Sequence, residues 1–286
     1  MRFTNGAHRA SKLITGVRAL VLAALVLGLV GIVATPVASA APAQMKVVIV
    51  VGPTGSGTAH NIADAKTLAA QARSYGALVV EVYSPRATFY HVRQAAAGAN
   101  VLIYMGHGSG WPSPYHPFNA ASKDGMGLNA TNYHGNLNVK YYGETLLKKY
   151  IHLAPNSVVL LRGLCYSAGN SEPGKAAPTA AVGRRRVDNY SAGFLRTGAK
   201  AVFAEPYGSV SYLLDWVFNG TSTAREVFMA GNSGWGHDSS STMKSTVFKS
   251  TRNTWATAIS QRDSSGKFRR SVVGNLDLNA TTVRGQ

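Results

Sequence analysis

The sequence predicts an α/β fold built on a mostly parallel β-sheet with helices on both faces. Short apolar runs rich in valine, leucine and isoleucine alternate with segments of helical spacing, and glycine marks the ends of both. Strands separated by helices in this way give a parallel sheet covered on each side. Composition agrees: 286 residues, of which 45% are hydrophobic and 14% charged, support a sizeable core and exclude a disordered chain.

Residues 1–40 read as a secretory signal peptide, so an exported protein is expected. Arg2, Arg9, Lys12 and Arg18 make a basic front, 19–33 is an uncharged apolar run, and Ala38-Ser39-Ala40 fits the small-x-small cleavage rule. The run is short for a membrane span, and no later segment is apolar enough to be one. Four basic and no acidic residues fall in this leader, which leaves +13 of the formal +17 on the remainder. Residues 45–230 read as a single α/β domain and 231–286 as a basic Ser/Thr/Gly-rich extension packed on it.

Within the domain, 46–51 is a buried strand ending in a Gly/Pro/Ser loop. Ile62, Ala65, Leu68, Ala69 and Ala72 predict a helix over 61–75, stopped by Gly76. A second strand over 77–83 leads through Ser84-Pro85 into a short helix ending near Ala97. The third strand, 100–105, delivers Gly106-His107-Gly108. Residues 109–140, rich in glycine, proline, asparagine and aromatics, read as a long irregular insertion. A helix over 142–152 precedes a fourth strand over 157–161, which runs into Gly163-Leu164-Cys165. A Gly/Pro/Ala loop ending in Arg184-Arg185-Arg186 then leads to a helix over 187–197, a fifth strand over 199–204, and helices over 209–218 and 222–230. Sites on such sheets lie at the carboxyl ends of the strands, and both His107 and Cys165 fall there.

Cys165 is the single cysteine, which excludes a disulfide framework and any multi-cysteine metal site within one chain. A thiol nucleophile needs an imidazole to raise its thiolate fraction. It also needs backbone N–H donors for an oxyanion, and glycine lets the backbone come close enough to supply them. His107, between Gly106 and Gly108, and Cys165, just after Gly163, bring these parts from equivalent strand ends. A small buried thiol and an ordinary loop histidine remain the plain alternative.

The segments Tyr104-Met105-Gly106-His107-Gly108-Ser109 and Leu161-Arg162-Gly163-Leu164-Cys165 resemble the caspase-like cysteine peptidases: caspases, legumain, clostripain, gingipains and separase. In that superfamily an apolar strand ends in His-Gly and a second ends in the nucleophilic cysteine, at a similar spacing. The resemblance covers about residues 45–207. It implies a caspase-like three-layer sandwich and an endopeptidase that works through a thioester acyl-enzyme. Cys165 would be the nucleophile, His107 would protonate the leaving amine, and the backbone N–H groups of Gly108 and Cys165 would bind the oxyanion. Family members select a charged or polar residue before the cut, and Glu172, Asp188 and Glu205 are the candidate acids for a basic one. The Gln-Ala-Cys-Arg-Gly string of caspases is absent, so aspartate specificity is not expected. Residues 184–186 stand where some relatives are cut on activation; a solvated basic loop or a self-processing site is expected there.

Two other readings stay open. One is a non-catalytic module that keeps the fold and binds anionic envelope polymers through its basic excess. The other is a glutamine amidotransferase-like enzyme, whose histidine would follow the cysteine and would be His237. The Gly52-to-Thr58 loop resembles a phosphate-binding loop, but Thr58 stands where lysine is needed, so it reads as a strand-to-helix turn. No cofactor, no metal and no zinc helix are expected from His60, His91, His116, His134 or His152. The expected partner is a protein or peptide substrate, with no specific nucleic acid.

Overall fold

The computed structural model describes residues 44–231, 236–240 and 257–286. The signal peptide expected over residues 1–40 lies outside the described residues.

The strands are, in chain order, β1 (Lys46–Val51), β2 (Leu78–Tyr83), β3 (Val101–Met105), β4 (Met126–Asn129), β5 (Val139–Tyr142), β6 (Val158–Arg162), β7 (Ala201–Glu205), β8 (Gly236–Ser240), β9 (Thr257–Arg262) and β10 (Phe268–Gly274). Among the described residues, eight of them form one sheet in the order β2-β1-β3-β6-β7-β10-β9-β8. The first five run parallel. The last three are joined by antiparallel pairings, β10 with β7, β9 with β10 and β8 with β9.

Successive side chains on a strand point to opposite faces, and here both faces are buried. On one, Val48, Val50, Leu102, Tyr104, Val159 and Leu161 pack under α2 (Phe89–Ala96), α3 (Glu144–Tyr150) and α4 (Ala180–Leu195). On the other, Val47, Ile49, Ile103, Met105, Leu160 and Phe203 pack under α1 (Thr58–Ser74), α5 (Ser211–Asn219), α6 (Ala224–Ala230) and α7 (Ala280–Val283). This is the three-layer α/β sandwich with a mostly parallel sheet that the sequence predicts. Burial on two faces is why its strands read as unbroken apolar runs. Each fully buried aliphatic side chain contributes about 1.5–3 kcal/mol, so the central strands anchor the site at their ends.

The structure departs from the sequence reading over residues 109–140 and 184–186. The insertion over 109–140 is not wholly irregular, because β4 and β5 pair antiparallel, Met126 opposite Tyr142. Their sequences, Met-Gly-Leu-Asn and Val-Lys-Tyr-Tyr, are too short to show a period. Residues 184–186 are also not a loop. Helix α4 begins at Ala180, capped by Thr179, whose hydroxyl accepts the Val182 N–H at 3.3 Å. Arginine is a good helix former, so the run lies inside the helix, and Arg186 is buried. Gly183 is required there, since a Cβ on it would meet the Phe268 ring at 2.1 Å.

Strand β10 runs antiparallel beside β7 and so returns Phe268, Arg269 and Arg270 to the edge where the parallel strands end. Among the described residues, no helix is long and apolar enough to cross a membrane.

Candidate active site

Strands β3 and β6 are parallel neighbours with Met105 opposite Arg162. The chain therefore leaves both at one level, and His107 and Cys165 follow within a few residues at the same edge. Gly108 brings the two loops into backbone contact. A Cβ on Gly108 would lie 2.0 Å from the Cys165 carbonyl oxygen and 3.0 Å from the Tyr190 hydroxyl. No larger residue fits there without displacing backbone.

Buried polar groups hold the histidine loop. The Tyr104 hydroxyl accepts the Gly127 N–H at 2.8 Å. Its proton is shared between the carbonyls of His107 at 3.0 Å and Gly127 at 2.9 Å. Burial pushes the Tyr104 pKa up, so it remains a donor. Asp124 ties the same loop twice: its N–H donates to the Ser109 carbonyl at 2.8 Å, and its Oδ1 accepts the Trp111 N–H at 2.8 Å. From α4, Asn189 donates to the Trp111 carbonyl at 2.7 Å, and the Tyr190 hydroxyl donates to the Gly125 carbonyl at 2.6 Å.

The cysteine loop is equally fixed. The Leu164 carbonyl accepts from the Ser167 hydroxyl at 3.1 Å and from Asn170 Nδ2 at 3.3 Å. Tyr166, directly after Cys165, has φ of +69°, a left-handed conformation that costs an L-residue about 1–2 kcal/mol. Its hydroxyl donates to Glu172 at 2.8 Å, and the Arg186 guanidinium stacks 4.6 Å from its ring centroid.

Cys165 is half-buried. Burial pushes its thiol up to about 11, the Glu172 charge adds to the rise, and its own backbone N–H offsets part of it. His107 is exposed at the rim, yet the protein on one side of its ring is enough to push its pKa down by desolvation. At neutral pH the resting pair is therefore an uncharged thiol and an uncharged imidazole.

Of the three candidate acids, the structure brings Glu172 to the Cys165 loop. It lines two clefts, of about 220 and 330 Å³, the larger shared with Tyr166, Lys175 and Arg186. Asp188 stands half-buried on α4. Glu205, at the end of β7, is buried, and its Oε1 accepts from Arg270 Nε at 2.8 Å and from the Tyr212 hydroxyl at 2.6 Å. That oxygen is already engaged within the fold.

The residues that the sequence reading missed are Tyr104, Asp124, Arg186, Asn189 and Tyr190. Their partners are backbone carbonyls and amides of distant loops, which leave no sequence pattern. Behind the histidine loop, Glu144 is fully buried at the start of α3, and neither carboxylate oxygen has a hydrogen-bond partner among the described residues. Burial raises its pKa to about 8, which Arg196 partly opposes.

The sequence reading gives His60, His91, His116, His134 and His152 no partner at i, i+4, and the structure corrects it: His60 and Asp64 stand one helical turn apart on α1 and pair at 3.3 Å. Among the described residues, no group of three His, Cys, Asp or Glu could hold a metal ion. His237 lies on β8, with β7, β10 and β9 between its strand and the Cys165 strand β6. Four ladder spacings of about 4.8 Å separate the two strands, which leaves the amidotransferase arrangement without its histidine.

Compared with models of known protein families and with curated proteins, the sequence gives no match. Among solved structures, one similar to this chain is the X-ray structure of "iotapain", a secreted C11 cysteine protease from Bacteroides thetaiotaomicron. It is 10% identical, with 78% of this chain and 67% of that chain covered, at a TM-score of 0.35.

Proposed function

We propose that this chain is an exported cysteine endopeptidase that uses Cys165 and His107 as a dyad. The observation that carries the reading is the contact of Gly108 with the Cys165 carbonyl, which joins the two loops at the ends of adjacent parallel strands. In the reaction, Sγ of Cys165 attacks the peptide carbonyl carbon while His107 takes the thiol proton. The carbonyl electron pair moves to oxygen, where the backbone N–H groups of Gly108 and Cys165 receive it. Collapse expels the amine, which His107 protonates, and leaves a thioester on Sγ. Water, deprotonated by His107, attacks that thioester and releases the acid and the thiol. Because both groups rest uncharged, proton transfer accompanies attack rather than preceding it.

Glu172 is the acid in this account that faces a basic side chain before the cut. Its position on both clefts beside the Cys165 loop supports the assignment. Export rests on the leader with its Ala38-Ser39-Ala40 site.

One observation favours a second reading. The thiol raised to about 11 is that of an inert buried cysteine, as in a basic, non-catalytic binding module. Peptidyl acyloxymethyl ketones bearing Arg, Lys, Asp or Asn separate the two. An adduct on Cys165 by mass spectrometry, lost in His107→Ala, supports the peptidase. No adduct with any of them supports the binding module.

A further inference from the structure

Arg186 is 6% exposed and sits in the layer between the two loops. Its Nε donates to the Pro112 carbonyl at 2.7 Å, on the loop that follows His107. Its Nη1 donates to the Asn170 carbonyl at 3.0 Å and the Ser171 hydroxyl at 3.2 Å, on the loop that follows Cys165. The two carbonyls stand five residues beyond His107 and Cys165 respectively. The same guanidinium covers the ring of Tyr166, the strained residue next to Cys165.

A buried cation is costly unless acceptors surround it. Those acceptors come here from two chain segments, one following His107 and one following Cys165. A guanidinium also reaches carbonyls on two loops from separate nitrogens held at fixed spacing, whereas an ammonium must reach both from one nitrogen.

We propose that Arg186 is a positioning residue for the reaction, a clamp that fixes the His107 loop against the Cys165 loop. The assignment rests on the peptidase reading for its consequence but on the loop geometry for its existence. Asn189, one turn along α4, adds a tie to the Trp111 carbonyl of the histidine loop, while the Arg186 guanidinium donates to both loops.

Arg186→Lys keeps the charge but replaces the rigid fork with one nitrogen that must serve both loops. It should lower kcat at least tenfold with KM within about twofold, and ethylguanidinium should restore part of kcat in Arg186→Ala. A second readout needs no peptide hydrolysis. The rate at which iodoacetamide alkylates Cys165 should show a His107-dependent inflection with pH in the native protein and lose it in Arg186→Lys. Native protein that hydrolyses no peptide but shows that inflection, with its loss in the variant, would retain the clamp while ending the peptidase reading. Unchanged kcat and an unchanged inflection in Arg186→Lys would overturn the clamp. So would variants that fail to fold and that ethylguanidinium does not recover, since Arg186 would then serve stability alone.

Discussion

Gly108 lies against the carbonyl of Cys165 so closely that a methyl group on it would sit 2.0 Å from that oxygen. Gly108→Ala must therefore push the two loops apart. Overpacking of this kind costs about 1–3 kcal/mol. A denaturant titration should show that loss, and peptide hydrolysis should fall with it, since the oxyanion donors move. An alanine variant of native stability and activity would remove the reason for glycine here.

The thiol of Cys165, raised to about 11 by burial and by Glu172, should react with iodoacetamide ever faster up to that pH rather than levelling near the ordinary thiol range. Glu172→Gln deletes the charge and should move the curve to lower pH. The folded protein keeps this proton after the unfolded chain has lost it. The group thus contributes stability below the ordinary thiol pKa that is lost as pH rises towards 11.

Glu144 carries the same sign at lower pH. Its folded pKa of about 8 exceeds the usual carboxylate value, so the stabilisation is complete in acid and lost as pH rises through 8. Asp124, raised by burial and by Glu144, acts in the same direction. Chemical denaturation at pH 5 and pH 9 should differ by on the order of a few kcal/mol, and Glu144→Gln should flatten much of that difference.

Glu205 and Arg270 form a buried ion pair at 2.8 Å that ties β10 to the carboxyl end of β7. Removing one partner leaves a buried charge uncompensated, a loss of about 3–5 kcal/mol. Thermal denaturation of Glu205→Gln and Arg270→Met should each show it, and the double variant should lose less than the two added together.

The central strands and the two strand-end residues were legible because each leaves a local mark: an apolar run, then a glycine. His107 and Cys165 could be placed at one edge of the sheet from that pattern alone. What could not be read was set by distant partners. Phe268, Arg269 and Arg270 do not look like a strand next to β7 until Glu205 is seen to neutralise Arg270. Arg186 looks like part of a solvated basic run until its carbonyl acceptors, Pro112 and Asn170, are brought to it by the fold. Helix α4 was misplaced for the same reason, since Gly183 reads as a breaker unless Phe268 is known to occupy the space beside it.

The most direct test of the dyad is hydrolysis of fluorogenic peptides bearing Arg, Lys, Asp or Asn before the bond, by the reduced protein lacking residues 1–40. Cleavage is expected, best after a basic residue, and should fall by about a thousandfold or more in both Cys165→Ala and His107→Ala. Cleavage that survives either substitution, or none in the native protein on any of the four, would contradict it.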